Sequence, residues 1–158
     1  MYRTGIGYDI HKLTTGRDLI IGGVKITHEK GLLGHSDADV LIHAIIDAML
    51  GALALADIGT LFPDTDPKYK NIDSTILLKH VYELIRKKGY EIENLDSNII
   101  AQQPKMMPYI PKMKEVLCGI LGIDLTKLSI KAKTKEKLDA VGQELAIESN
   151  AVVLLKKV

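Results

Sequence analysis

Apolar residues alternate with small or polar ones in the stretch 5–11, Gly-Ile-Gly-Tyr-Asp-Ile-His, near the start of the chain. This period of two predicts an extended strand, in which successive side chains point to opposite faces. Asp9 and His11 then lie side by side on the face that also carries Gly7, and the apolar side chains lie on the other face. The stretch therefore predicts a strand that presents a carboxylate and an imidazole together.

Further periodic segments predict the rest of the architecture. The predicted elements are a hairpin of 19–21 and 24–26 around Gly22-Gly23, helices over about 37–55, 74–88 and 111–121, strands over 91–101, 128–133 and about 145–155, and a short helical turn near 135–138. The connections are long enough to place the strands side by side in one sheet. We expect an α/β or α+β fold with helices on one face of that sheet.

The composition is that of an ordinary globular protein, with 46% hydrophobic and 26% charged residues among 158. Length alone favours one domain over residues 1–158. The net charge of +1 does not indicate a nucleic-acid partner or a membrane surface, and no secretory signal is visible. The apolar region 40–56 is too short to cross a bilayer comfortably. We expect a cytoplasmic protein in which the single cysteine, Cys118, is a buried thiol.

Asp9 and His11 need one more nitrogen ligand to form an open three-ligand metal site, and His43 on the first predicted helix is the candidate. This mixture of oxygen and nitrogen ligands suits zinc, with manganese or cobalt as substitutes. The alternative is that Asp9 bonds a loop backbone and His43 is a hydrogen-bonded core histidine, but the three residues together favour a metal. Asp47, one helical turn after His43, is expected to orient its ring.

His35 and Ser36 precede the first predicted helix, whose N-terminus attracts anions through its free N–H groups and its dipole. A phosphate held by Ser36 and assisted by His35 is one interpretation. A plain capping turn, with the helix starting near Asp37, fits the spacing equally well. The sequence leaves the two interpretations open.

Three further kinds of segment offer polar groups in loops or at a strand end. The loop segments 57–59 and 62–66 can hold hydroxyl groups of a sugar or polyol, and the segment 101–107 can hold a base. Ordinary solvated loops have the same composition. Thr134 with its neighbouring lysines can clamp phosphoryl oxygens, and Glu136 can ligate a second hard cation. The alternative for this last segment is a basic, solvated sheet edge.

Five motifs, taken in order, resemble those of one family. They are Gly5-x-Gly7-Tyr8-Asp9-x-His11, Gly34-His35-Ser36-Asp37-x-Asp39-Val40-x-x-His43, Asp57-Ile58-Gly59-x-Leu61-Phe62-Pro63-Asp64-Thr65-Asp66, Gln102-x-Pro104-Lys105-Met106 and Lys131-Ala132-x-Thr134-x-Glu136-Lys137-Leu138. By these motifs the chain resembles the 2-C-methyl-D-erythritol 2,4-cyclodiphosphate synthase family of the non-mevalonate isoprenoid pathway. Any one motif is weak, but five in the family's order are highly specific.

The resemblance implies a ferredoxin-like α+β subunit, with one mixed sheet and helices on one face, in a homotrimer whose active sites are shared between neighbours. It implies conversion of 4-CDP-2-C-methyl-D-erythritol 2-phosphate to the 2,4-cyclodiphosphate with release of CMP. Because the 2-phosphate attacks the β-phosphate directly, catalysis consists of positioning and charge neutralisation. The alternatives are a metal-dependent phosphohydrolase and a non-enzymatic metal- or nucleotide-binding trimer.

The resemblance also implies roles for individual residues. The zinc ligands are Asp9, His11 and His43, Glu136 binds a second cation (Mg²⁺ or Mn²⁺) on the substrate diphosphate, and His35 and Thr134 stabilise the transition state. The implied substrate-binding residues are Asp9, His11, His35, Ser36, Asp57, Ile58, Gly59, Phe62, Pro63, Asp64, Thr65, Asp66, Ala101, Gln102, Gln103, Pro104, Lys105, Met106, Met107, Lys133, Thr134, Lys135 and Glu136.

The chain departs from the family pattern after Leu138. Residues 139–143 read Asp-Ala-Val-Gly-Gln where many members read Gly-Phe-x-Gly-Arg, so Ala140 and Gln143 replace the phenylalanine and the arginine. Asn150 stands where a glutamate is frequent. In some members the phenylalanine and arginine lie near a cavity on the trimer axis that holds an isoprenoid diphosphate. Loss of a bidentate phosphate donor argues against that ligand in this chain.

Overall fold

A computed structural model describes the whole chain from Met1 to Val158. The predicted strands and the three long helices appear in their predicted order, with additional short elements between them. The strands are β1 Tyr2–Thr14, β2 Leu19–Ile21, β3 Val24–Ile26, β4 Gly31–Leu32, β5 Tyr90–Ile100, β6 Leu128–Lys133 and β7 Ala146–Lys157. The helices are α1 Val40–Ala52, α2 Ile58–Leu61, α3 Ser74–Lys87, α4 Ile110–Leu121 and α5 Asp139–Gly142. No helix is both long enough and apolar enough to span a membrane.

Five strands form one sheet in the order β4-β1-β7-β5-β6, and β2 and β3 form the predicted hairpin. The β5–β6 pair is parallel, whereas the other neighbouring pairs in the sheet are antiparallel. Helix α1 packs on β1 and β7, and α3 packs against α1. The predicted α+β fold, a mixed sheet with helices on one face, is confirmed.

Helix α1 is packed inside the folded chain, and this burial explains why the helix is apolar on nearly every side. All of its residues except Asp47 and Gly51 are buried. His43 lies in the middle of the helix and is only 9% exposed. A histidine held this deeply needs hydrogen-bond partners or a bound cation for its ring nitrogens.

Helix α1 begins at Val40 and not near Asp37, because its N-cap is Asp39 and not Ser36. The Asp39 carboxylate accepts hydrogen bonds from the N–H of Ile42, at 3.0 Å, and from two N–H groups of the β2–β3 turn. Complete burial raises the pKa of Asp39 to about 6. The carboxylate therefore ties the hairpin to the helix start and occupies one of the helix N–H groups that an anion could use.

β1 approaches α1 more closely than side chains would allow. A Cβ atom on Gly7 would lie 1.8 Å from the carbonyl oxygen of Ala44. The absence of a side chain lets the strand backbone rest directly on the helix backbone. The polar face of β1, with Asp9 and His11, consequently points toward α1 and His43.

The opposite face of the sheet is not covered by helices, and apolar side chains are exposed on it. Ile6 is 74% exposed, Tyr8 52% and Ile10 43% on β1, and Val152 on β7 is 51% exposed. The alternation predicted for β1 is confirmed, and its apolar side chains lie on the open face while its glycine and polar face is packed. Several large apolar side chains exposed on one face of a folded chain are typical of an interaction surface.

Residues 31–32, for which no strand was predicted, form β4 and pair with β1. Two other local segments also differ from the sequence prediction. The predicted loop 56–67 contains α2, which forms because the Asp57 carboxylate accepts the N–H of Thr60 at 2.9 Å as its cap. The helical turn predicted near 135–138 lies at 139–142 instead. Glu136 and Lys137 have positive φ angles, so they cannot continue a right-handed helix.

Candidate metal centre and substrate cleft

Asp9, His11 and His43 converge at the point where β1 crosses α1, as the sequence predicted. Their ligand atoms all lie within 4.8 Å of one another. Asp9 Oδ2 lies 2.8 Å from His11 Nε2 and 3.0 Å from His43 Nδ1, and the two ring nitrogens are 3.3 Å apart. One oxygen and two nitrogens thus form a small triangle from three different positions in the sequence.

The triangle has the dimensions of one face of a zinc coordination tetrahedron. Bonds of about 2.0–2.1 Å in a tetrahedral zinc site give ligand-to-ligand distances of about 3.3 Å. The observed separations of 2.8 to 3.3 Å approach that value. Three protein ligands leave a fourth position open, which is the arrangement of a site that binds a substrate or water. The residues present therefore fit a zinc-type cation.

The pKa shifts of the triad residues also favour a bound cation. Burial alone raises the pKa of Asp9, but hydrogen bonds from His11 and His43 outweigh it and hold the pKa below its ordinary value. Burial lowers the pKa of His11, but the Asp9 carboxylate outweighs burial and raises the pKa. The triad thus favours a positive charge beside Asp9, either a proton or a metal ion. Because the two compete, metal binding should release a proton and weaken in acid.

Each histidine is oriented by a hydrogen bond on the side away from the triad. Leu33 O accepts from His11 Nδ1 at 2.9 Å, which leaves the Nε2 lone pair of the neutral ring facing Asp9. On the far side of the His43 ring, Nε2 lies 2.9 Å from Ser74 Oγ. Ser74 in turn donates its hydroxyl proton to the Asp37 carboxylate. A relay of carboxylate, hydroxyl and imidazole therefore fixes the tautomer of His43.

The prediction that Asp47 orients His43 was wrong. Asp47 Oδ1 instead accepts the N–H of Ile58 at 2.7 Å and so fixes the start of α2. The carboxylate that acts on His43 belongs to Asp37, and it acts through Ser74. Spacing within one helix suggested Asp47, whereas the relay depends on contact between the loop before α1 and the first turn of α3.

A cavity of about 360 Å³ opens beside the triad. It brings together several residues predicted to bind substrate: His35, Ser36, Ile58, Gly59, Phe62 and Asp64 line it with the triad. Three further lining residues, Tyr69, Ile72 and Leu77, were not singled out from the sequence. Only the aromatic character of Tyr69 could have signalled it, since its ring packs edge-on against Phe62 at 5.3 Å. These side chains give the cleft an apolar wall opposite its polar ligands.

Other predicted residues of this region support the cleft without lining it. Asp57 caps α2, and Asp66 caps the turn that follows the 62–66 loop. The Asp66 carbonyl oxygen accepts a hydrogen bond from His35 Nε2 at 2.9 Å. His35 therefore ties the loop to the segment before α1. At the N-terminus of α1 the Asp39 carboxylate accepts the N–H of Ile42, so Asp39 and not Ser36 is the cap.

Pro63 and Thr65 are exposed in the 62–66 loop and do not line the cavity. The predicted residues from Ala101 onward lie at the far side of the sheet. The segment 101–107 follows β5, and Lys133 to Glu136 follow β6; the two are joined by the hydrogen bond from Ala101 N–H to Lys133 O, 2.9 Å long. Along the strand register, Asp9 pairs with Ser149, Ser149 with Ile99, and Ile99 with Ala132. Three strand spacings correspond to about 14 Å. A single chain therefore does not bring this group together with the metal triad.

Replacing Ser74 with alanine tests the relay to His43. We expect Ser74→Ala to weaken zinc binding by about 10-fold, because His43 Nε2 loses the shorter of its two outer contacts and keeps only Ser36 Oγ, at 3.2 Å. Competition with a chromogenic chelator would measure the affinity. Thr75→Ala is the matched control, since Thr75 bonds only the cap residue Asp73. Equal zinc affinity in the two variants would show that the relay does not tune the metal site.

Comparison with known proteins identifies the family of the chain. Residues 2–156 match the YgbB family. Two proteins named 2-C-methyl-D-erythritol 2,4-cyclodiphosphate synthase are close relatives. The one from Geobacillus sp. (strain WCH70) is 57% identical over 157 residues, covering 99% of each chain. The one from Clostridioides difficile (strain 630) is 60% identical over 153 residues, covering 97% of this chain and 95% of the relative.

A solved structure agrees with these sequence matches. IspF of Plasmodium falciparum, in a CDP complex, superimposes with a TM-score of 0.87 at 42% identity, covering 99% of this chain and 96% of the other. The likeness extends over the full fold, including the strand and helix that carry the triad. The chain therefore belongs to the YgbB family, that of the 2-C-methyl-D-erythritol 2,4-cyclodiphosphate synthases.

Proposed function

We propose that the protein converts 4-CDP-2-C-methyl-D-erythritol 2-phosphate to 2-C-methyl-D-erythritol 2,4-cyclodiphosphate and CMP. The observation that carries this proposal is the Asp9, His11 and His43 triad at the mouth of a 360 Å³ cleft, in a chain 57% identical to a protein named for this product. The CDP complex of a related structure supports a cytidine nucleotide as the ligand. Residues 1–158 would form one synthase domain.

The residues of the cleft account for the chemistry of an intramolecular phosphoryl transfer. A bound zinc-type ion would supply positive charge to phosphate oxygens at the open coordination position. His35 and Ser36 lie beside the triad in the cleft, where they can donate hydrogen bonds to the same phosphates. The wall formed by Ile58, Gly59 and Phe62 would hold the methylerythritol and ribose portions. Positioning and charge neutralisation of this kind suffice for in-line attack.

The second part of the proposed site comes from the far edge of the sheet. Segment 101–107 would receive the cytosine, and Lys133, Thr134, Lys135 and Glu136 would surround the diphosphate. Glu136 would ligate a second cation, Mg²⁺ or Mn²⁺, since a carboxylate oxygen suits such hard ions. Thr134, with His35 from the first part, would stabilise charge that develops in the transition state.

A homotrimer with shared active sites would complete this arrangement. Within one subunit the triad and Glu136 stand about three strands apart, too far for one diphosphate to reach both. The uncovered apolar face, with Ile6, Tyr8, Ile10 and Val152, supplies a surface that association would bury. Symmetric packing of three such faces would set the triad of one subunit against the Thr134 segment of its neighbour.

Incubation with the CDP substrate and Mg²⁺, followed by phosphorus NMR, tests the function. We expect signals of a cyclic diphosphate to grow in step with CMP. Release of inorganic phosphate would indicate a phosphohydrolase instead, and an unchanged substrate would indicate a binding protein. Size measurement by light scattering in the same buffer would test the trimer separately.

A further inference from the structure

The turn after β6, which carries Thr134 and Glu136, has an unusual backbone. Glu136, Lys137 and Asp139 have positive φ angles of 51°, 63° and 55°. Residues other than glycine disfavour this region, so surrounding contacts must hold the turn. A backbone hydrogen bond closes the turn, from Leu138 N–H to Lys135 O at 2.9 Å. Two longer contacts to side chains support it: the N–H of Glu136 donates to Thr134 Oγ1 at 3.3 Å, and that of Lys137 donates to Gln102 Oε1 at 3.1 Å.

Ion pairs of Lys135 also fix the turn. The Lys135 ammonium lies 3.0 Å from a carboxylate oxygen of Glu148 and 3.2 Å from one of Asp139. Its carboxylate partners raise the pKa of Lys135, so it remains charged. The ammonium is therefore bound between two protein carboxylates on either side of the turn.

Glu148 is a fixed anchor and not a mobile surface charge. It lies on the uncovered face of β7, yet its side chain is only 10% exposed. Its second carboxylate oxygen accepts a hydrogen bond from the Tyr8 hydroxyl at 2.7 Å. A sheltered carboxylate needs a cation beside it, and Lys135 is the cation that it contacts.

The ion pair spans the sheet from its edge toward its middle. Lys133 at the end of β6 pairs with Ile100 at the end of β5, and Ile100 pairs with Glu148 on β7. The Lys135 side chain thus reaches past the end of β5 to β7. This contact fastens the turn to the strand that pairs with β1.

We propose that Lys135 is a positioning residue, whose ion pair with Glu148 holds Thr134 and Glu136 in the orientation that phosphoryl transfer requires. The inference rests on the proposed function and deepens it. It gives the Lys135 side chain a different task from direct contact with the substrate phosphates, because its ammonium is already engaged. Without Lys135, the turn loses its anchor and Glu148 keeps a sheltered charge with no cation.

The variant Lys135→Met separates positioning from folding. We expect kcat to fall by about tenfold or more and the Mg²⁺ concentration for half-maximal rate to rise, since small displacements of catalytic groups are costly. Glu148→Gln should produce the same changes, and the double variant should add little to either, because both remove one ion pair. Lys135→Arg should restore most of the rate. Zinc affinity should stay at the parent value in all of them.

Lys127→Met is the matched control. Lys127 precedes the same strand at its other end and pairs with Glu93 at 3.7 Å, far from the turn. It should leave kcat and the Mg²⁺ requirement unchanged. If Lys135→Met does not fold, Lys135→Gln and Glu148→Gln carry the same test, with circular dichroism to verify the fold.

The outcomes distinguish the two proposals. If the parent protein forms cyclic product and the Lys135 and Glu148 variants match it in kcat and Mg²⁺ requirement, the positioning role is overturned while the function stands. A lower melting temperature with unchanged kinetics would overturn the positioning role in the same way. If the parent protein forms no cyclic product, the function fails and the positioning role with it.

Discussion

His43→Ala should abolish turnover together with zinc binding. The substitution removes one of three ligands from a site whose remaining oxygen and nitrogen cannot close around the ion. A metal that stabilises phosphoryl charge by about 4 kcal/mol corresponds to a rate loss of roughly 10³-fold. Zinc content after dialysis and the initial rate of CMP release would be measured on the same sample.

Treatment of the parent protein with a chelator should reproduce this loss, and added zinc should reverse it. His28→Ala is the control, because His28 is neither in the triad nor in the lining of the cleft. Full activity of His43→Ala, or of the parent protein at zero zinc content, would refute the role assigned to the metal.

Gly7→Ala should be among the most destabilising single substitutions in the chain. The new Cβ atom would lie 1.8 Å from the carbonyl oxygen of Ala44, so the strand and the helix must separate. Backbone shifts of this kind cost about 3 kcal/mol of the free energy of unfolding. Urea unfolding at fixed protein concentration would measure the loss. Zinc affinity should fall as well, because Asp9 moves with the strand.

Gly51→Ala, in α1, is the matched control for the contact between β1 and α1. Its Cβ atom would have only Ile6 O nearby, at 3.8 Å, and alanine favours the helical conformation by about 1 kcal/mol. We therefore expect unchanged or slightly increased stability. If Gly7→Ala were as stable as Gly51→Ala, the close approach of β1 to α1 would not be a determinant of the fold.

The metal triad was predictable because two of its members are local. Asp9 and His11 are neighbours on one strand face, and alternation alone places them together. His43 lies 32 residues after His11, so no local pattern links the two. The prediction of His43 as the third ligand is correct because β1 packs on α1. The family motifs then extended the prediction to the cleft residues His35 and Phe62, and the structure places both beside the triad.

The relay behind His43 was not predictable from spacing. Asp47 lies on the same helix at a suitable interval, yet it faces α2 and bonds Ile58. Ser74 and Asp37 come from two segments that meet only after α3 docks on α1. The start of α1 was predicted wrongly for a similar reason, since the bonds of Asp39 to the β2–β3 turn fix that residue as the cap.

The sequence by itself determined the strand with its adjacent ligands, the three long helices, most of the strands, the α+β class and the family. These follow from local periodicity and from motifs, which need no knowledge of distant contacts. Only the tertiary structure decided which face of β1 is packed, which groups orient the histidines, and that Glu136 stands apart from the triad within one chain. Those features depend on how glycines let two backbones meet and on strand order, which local patterns do not encode.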